Sequence, residues 1–155
     1  MIFFIMEHKD TKKQSFISKD EYETLQIISN RVIGAAIEVH KELGPGLLES
    51  VYEDCMKVEL ESQGFLVQTQ LDLPLIYKGV DTEKKFRIDM LINHSFIVEL
   101  KAVEELKPVH EVQLVTYMKL TGVHMGLLIN FNVPKLREGI RRKINGQIEG
   151  STPLL

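Results

Sequence analysis

The sequence predicts an α/β domain with a mixed central sheet flanked by helices, and three observations predict it. Helical patterns and strand patterns follow one another in the order helix, three strands, helix, strand. The runs at 86–101 and 123–131 are nearly continuously apolar, as strands covered on both faces are. The passage from Lys101 to Met125 runs strand, helix, strand, a crossover unit expected to be right-handed and parallel.

With 155 residues the chain is expected to form one domain, over 19–146, with a flexible leader at 1–18 and a frayed tail at 147–155. Hydrophobic content of 44%, charged content of 26% and a net charge of −3 match a globular protein and argue against one that coats nucleic acid indiscriminately. No run approaches the ~20 apolar residues of a membrane span, so no membrane association is expected. Met1–Met6 is apolar but lacks the basic leader of a signal peptide, and Met6 is an alternative first residue. The single cysteine, Cys55, has no partner for an internal disulfide, which fits a cytoplasmic setting.

The first helix starts at Ser18, with Ser18 as N-cap and Glu21 completing a capping box. Its apolar stripe comprises Leu25, Ile28, Val32, Ile33, Ala36, Ile37 and Val39, with a break expected near Ser29-Asn30. Gly44-Pro45 stops it. A second helix is expected from Leu47 to Gln63, with Leu48, Val51, Cys55 and Val58 as its core stripe and with Glu49 and Tyr52 sharing a face. Strands are expected at 65–70 and 73–77, the latter near an edge or with Pro74 at a strand start, because Pro74 cannot donate to a ladder. Lys78-Gly79 makes a turn. Past a loop at 104–108, a helix over 109–120 carries Gln113 and Tyr117 one above the other, and a buried strand follows at 123–131. In 134–145 helical spacing of Leu136, Ile140 and Ile144 competes with an Ile140/Arg142/Ile144 alternation, and a short strand is expected. The basic residues Lys135, Arg137, Arg141, Arg142 and Lys143 form either a solvated face or a phosphate-contacting patch.

The most informative stretch is the hairpin at 86–101, broken by Asn93-His94-Ser95. If those three form the loop, Ile92 pairs with Phe96 and Asp89 falls opposite Glu99. Two carboxylates so placed in an otherwise buried strand pair repel each other unless something positive lies between them. A divalent cation is the natural candidate, and Lys101 follows one pleat further on the same face as Glu99. The competing reading is a solvated hairpin surface or a purely structural charge cluster.

Asp89, followed after a short turn by Glu99-Leu100-Lys101, resembles the Asp…(Asp/Glu)-x-Lys core of the PD-(D/E)XK nuclease superfamily. Gly46-Leu47-Leu48-Glu49-Ser50-Val51-Tyr52 resembles the signature of its GxxExxY family, and Gln113-Leu114-Val115-Thr116-Tyr117 resembles the Gln-x-x-x-Tyr element of its exonuclease-like branch. The similarity runs from about Ile28 to about Asn145. It implies a restriction-endonuclease-like αβββαβ core and a metal-dependent, nuclease-like protein hydrolysing phosphodiester bonds in nucleic acid. The assignment that follows makes Asp89 and Glu99 ligands of Mg²⁺ (Mn²⁺ as substitute), with the Leu100 carbonyl as a further ligand. Glu49 would act directly or through water, although Glu38 and His40 compete for that place and the helix dipole is its alternative role. Lys101 would orient water or neutralise developing charge, while Gln113 and Tyr117 position substrate or lysine. A homo-oligomer is compatible with the sequence. The alternative function is a catalytically silent binding module on a nuclease-like scaffold.

Overall fold

The computed structural model describes residues 15–152. The expectations for Met1–Met6 and for the last residues of the tail lie outside them. In chain order the elements are β1 (Phe16–Ile17), α1 (Lys19–Leu43), α2 (Glu49–Ser62), β2 (Val67–Tyr77), β3 (Val80–Ile92), β4 (Phe96–Lys101), α3 (Pro108–Thr121), β5 (Met125–Asn130), β6 (Ile140–Ile144) and β7 (Gln147–Ile148). Strands β2 to β6 form one five-stranded sheet in sequence order. Its pairs are antiparallel except β4–β5, the parallel crossover through α3. This is a mixed α/β fold of the restriction-endonuclease-like kind. It has two cores. One lies between the sheet and α1/α2, built on Val32, Ala36, Tyr52, Met56, Met90, Phe96 and Leu127. The other lies beneath α3, built on Ile88, Ile97, Leu114, Met118 and Leu128.

Local chemistry explains most boundaries. Ser18 accepts from the Glu21 backbone N–H at 3.1 Å and starts α1. Gly44 ends it at φ +68°, in the region where a side chain would be strained. The Asn93-His94-Ser95 loop closes with Asn93 and His94 both left-handed, at φ +48° and +56°, and Ile92 pairs with Phe96 as expected. The Asn93 side chain then accepts from the Leu66 N–H, tying this turn to the start of β2.

Four expectations are corrected. The helix does not break at Ser29-Asn30: Ser29 is fully buried on the packed face, so tertiary contact outweighs weak local propensity. The apolar stripe of α2 is not its core face. Leu48 is 75% exposed and Val58 69%, while Tyr52, Met56 and Leu60 are fully buried. Period identifies an amphipathic helix, but here two apolar stripes compete and packing chooses the one carrying the larger side chains. The two strands expected at 65–70 and 73–77 are one strand, β2, which absorbs a register shift between Pro74 and Ile76, and β3 begins as early as Val80. Finally, leader and tail meet. Phe16–Ile17 pairs in parallel with Gln147–Ile148, and Ile17 is fully buried. The short strand expected within 134–145 is present as β6, preceded by one 3₁₀ turn at Leu136–Gly139.

Candidate active site

The β3–β4 ladder is regular from Ile92↔Phe96 to Met90↔Val98, and there it ends. One step further, where register puts Asp89 opposite Glu99, side chains take over from backbone. The Leu100 N–H donates to Asp89 Oδ2 at 2.9 Å, and the Asp89 N–H donates to Glu99 Oε1 at 3.2 Å. Each carboxylate is thus held by the main chain of the opposing strand, at the point where those strands part. Hydrogen bonds of this kind fix the acids without neutralising them.

The electrostatics follow from burial. Glu99 is only 4% exposed. Desolvation, with the Asp89 charge as the next cause, pushes its carboxyl pKa up to about 9, and Lys101 offsets only part of this. Lys101 is half-buried at the end of β4. Its strand end is fixed by β5: Asn130, opposite Lys101 in the ladder, accepts from the Val103 N–H and donates to the Val103 carbonyl, at 3.0 and 2.9 Å.

Glu49 opens α2 within range of the Asp89 charge: burial raises its pKa first, then Asp89, while Lys101 lowers it. The loop before it is clamped by Tyr52. That hydroxyl donates to the Gly44 carbonyl at 2.6 Å and accepts from the Leu47 N–H at 3.1 Å, while its ring stacks on Phe131 with centroids 4.4 Å apart. Of the rivals to Glu49, His40 is bound through Nε2 to the Val133 carbonyl at 2.8 Å and Glu38 is exposed. Tyr117 also borders the site from α3. Burial raises its pKa first, then the Glu99 and Asp89 charges, against hydrogen bonding with Gln113. Its ring packs against Phe86 at 5.8 Å.

Two residues escape the sequence reading. Glu53, 9% exposed, accepts a 2.7 Å hydrogen bond from Gln70 Nε2, and burial and the nearby Asp89 raise its pKa. Its spacing of one helical turn from Glu49 could have flagged it. No sequence signal points to Gln70. The basic carboxyl-terminal cluster is partly spent within the fold: Lys143 pairs with Glu111 at 2.8 Å, and Arg141 donates to the Glu138 and Ile140 carbonyls.

Among the described residues, no three His, Cys, Asp or Glu side chains converge closely enough to hold a metal ion as they stand. The donor chemistry at Asp89 and Glu99 nevertheless suits a hard cation. Two oxygen-donor groups lie together with too little positive charge, and such ions also accept backbone carbonyls and waters as ligands. Among the described residues, no helix is long and apolar enough to cross a membrane.

Comparison with curated proteins yields no match, nor does comparison with solved structures. A family model for the PD-(D/E)XK nuclease superfamily matches residues 26–143, a span that holds Glu49, Asp89, Glu99, Lys101, Gln113 and Tyr117. On that match and this fold, the chain belongs to the PD-(D/E)XK nuclease superfamily.

Proposed function

We propose that this protein is a divalent-metal-dependent phosphodiesterase acting on nucleic acid, and that its place within the superfamily is the GxxExxY group. The observation that carries the reading is the crossed pair Asp89–Glu99. A domain with no chemical task gains nothing from burying Glu99 beside a second, half-buried acid, Asp89, at a strand junction, where apolar residues of similar size would cost less.

In this reading Asp89 and Glu99 hold Mg²⁺, for which Mn²⁺ substitutes, with the Leu100 carbonyl and Glu49 completing the set directly or through water. When bound, such an ion polarises a phosphoryl oxygen and lowers the pKa of coordinated water. The chain's own residues supply the rest. Lys101, a compact ammonium with three donors, orients the attacking water and offsets charge on the phosphate oxygens as it grows. The hydrogen bonds from Leu100 to Asp89 and from Asp89 to Glu99 keep both carboxylates from swinging apart. Gln113 and Tyr117 line the α3 side and position substrate or the lysine. Tyr52 acts on the site through Glu49, by holding the turn that opens α2, a turn in which Gly46 takes φ +94°. The remaining basic side chains, Lys135, Arg137 and Arg142, are available for phosphates. A cytoplasmic setting suits the lone thiol, Cys55, and a homo-oligomer is compatible with the fold.

The test is cleavage of a mixed panel of DNA and RNA in Mg²⁺ or Mn²⁺, with calorimetric titration of both ions. The expected result is metal-dependent cleavage that Lys101→Ala abolishes while the circular dichroism spectrum and metal binding persist. Absence of cleavage across the panel, or cleavage that survives Lys101→Ala and Asp89→Asn, would defeat the proposal.

A further inference from the structure

The β2–β3 ribbon changes sides of the sheet at a single rung. Val67, Leu71 and Leu73 are alternate residues of β2, and Ile88, Met90 and Ile92 alternate residues of β3. A regular pleat would turn each trio to one face. Instead Val67, Met90 and Ile92 pack in the core under α1 and α2, whereas Leu71, Leu73 and Ile88 pack in the core under α3. Both strands therefore cross over between the same two rungs, Thr69↔Met90 and Leu71↔Ile88. Between those rungs register sets Gln70 across from Asp89.

Gln70 has φ +51°, a left-handed backbone that residues with a Cβ adopt at a cost. Such strain persists only where its surroundings enforce it. Here the enforcing contact is Glu53, whose buried carboxylate accepts the 2.7 Å hydrogen bond from the Gln70 amide. Asp89, one rung partner away, is the residue whose carboxylate must leave the ribbon's own pleat and reach the Leu100 N–H of β4.

We propose that Gln70 and Glu53 are a positioning pair for Asp89: the left-handed turn at Gln70 rolls the ribbon over and delivers the Asp89 carboxylate to β4, and Glu53 locks that turn from α2. The pair gains a catalytic meaning only through the reading of Asp89 as an active-site residue, but its geometry is measurable without any activity. Neither side chain needs to touch substrate.

The reporter is the Leu100 amide, whose proton is bound by Asp89 Oδ2. Its hydrogen exchange in the full chain, taken relative to the Val98 and Leu127 amides inside the sheet, measures whether Asp89 is in place rather than how stable the protein is. Gln70→Val disfavours the left-handed backbone and Glu53→Leu removes the lock. Each is expected to raise that ratio roughly tenfold or more and to shift the Leu100 ¹⁵N resonance. Glu53→Gln, whose side-chain carbonyl still accepts from Gln70, is expected to stay within about threefold of wild type. Gln70→Gly, which keeps the turn and loses the lock, is expected to fall between. In parallel, kcat in Mn²⁺ should follow the same order while KM changes little. An unchanged Leu100 ratio in both Glu53→Leu and Gln70→Val would overturn the pair. If Gln70→Val does not fold, the contrast between Glu53→Leu and Glu53→Gln decides by itself. A responsive Leu100 in a protein that cleaves nothing would uphold the pair and defeat only the phosphodiesterase reading.

Discussion

The two ends of the β3–β4 pair are built to opposite rules. At the inner end Met90, Leu91, Ile92, Phe96, Ile97 and Val98 are fully buried and pair in regular antiparallel register. At the outer end, Asp89 and Glu99 replace backbone rungs with carboxylates bonded to the opposing chain. The inner end stabilises through apolar burial, while the outer end gives up stability to hold two acids in one place. The rigid half makes the costly half possible, since two chains anchored on both faces cannot drift where the desolvated Glu99 carboxyl and Asp89 meet.

Mutations that break the inner end should have the largest effect. Phe96→Ala removes a fully buried ring and is expected to destabilise the fold by about 3–5 kcal/mol in urea denaturation, lowering metal binding only through loss of folded protein. Asp89→Asn should do the reverse. The fold stays near wild-type stability, while cleavage in Mg²⁺ falls by about 10²–10³ and the calorimetric signal of Mn²⁺ disappears. If Asp89→Asn instead unfolds the protein, the division of labour between the two ends is wrong.

Glu99 sharpens the contrast further through pH. Its carboxyl titrates near 4.5 when unfolded and at about 9 when folded. Across that window the folded, metal-free protein keeps a proton that the unfolded chain has released, so stability should fall as pH rises from about 5 to 9. Glu99→Gln cannot ionise and should flatten that slope, leaving the metal-free protein more stable at pH 8 by roughly 1–3 kcal/mol. Wild-type Mn²⁺ affinity should rise over the same window, because the ion displaces the proton. Parallel melting curves for the two proteins at every pH would show that Glu99 is not held as described. The smallest effect belongs outside both ends. Leu48→Ala, on the exposed stripe of α2, should change stability by no more than ~0.5 kcal/mol.

Much of the candidate site is legible before any coordinates because it is local. Asn93-His94-Ser95 sets the register of a short hairpin, and register alone brings Asp89 opposite Glu99. Lys101 follows by alternation along the same strand. Glu49 is a different matter: its motif can be read, but its approach to Asp89 depends on how α2 sits against the sheet. That placement turns on Tyr52 stacking on Phe131, residues far apart in the chain. Glu53 is harder still, being an ordinary helix acid until Gln70 arrives from β2.

Alternation, turn residues and caps act over a few bonds, so the chain by itself determined the element types, the central hairpin and the pairing of its two acids. It could not determine which of two apolar stripes α2 would bury, that Phe16–Ile17 would find Gln147–Ile148, or that β2 and β3 would change faces together at Gln70. Each of those is a choice between alternatives nearly equal in local energy. Only the packing of distant surfaces against one another separates them.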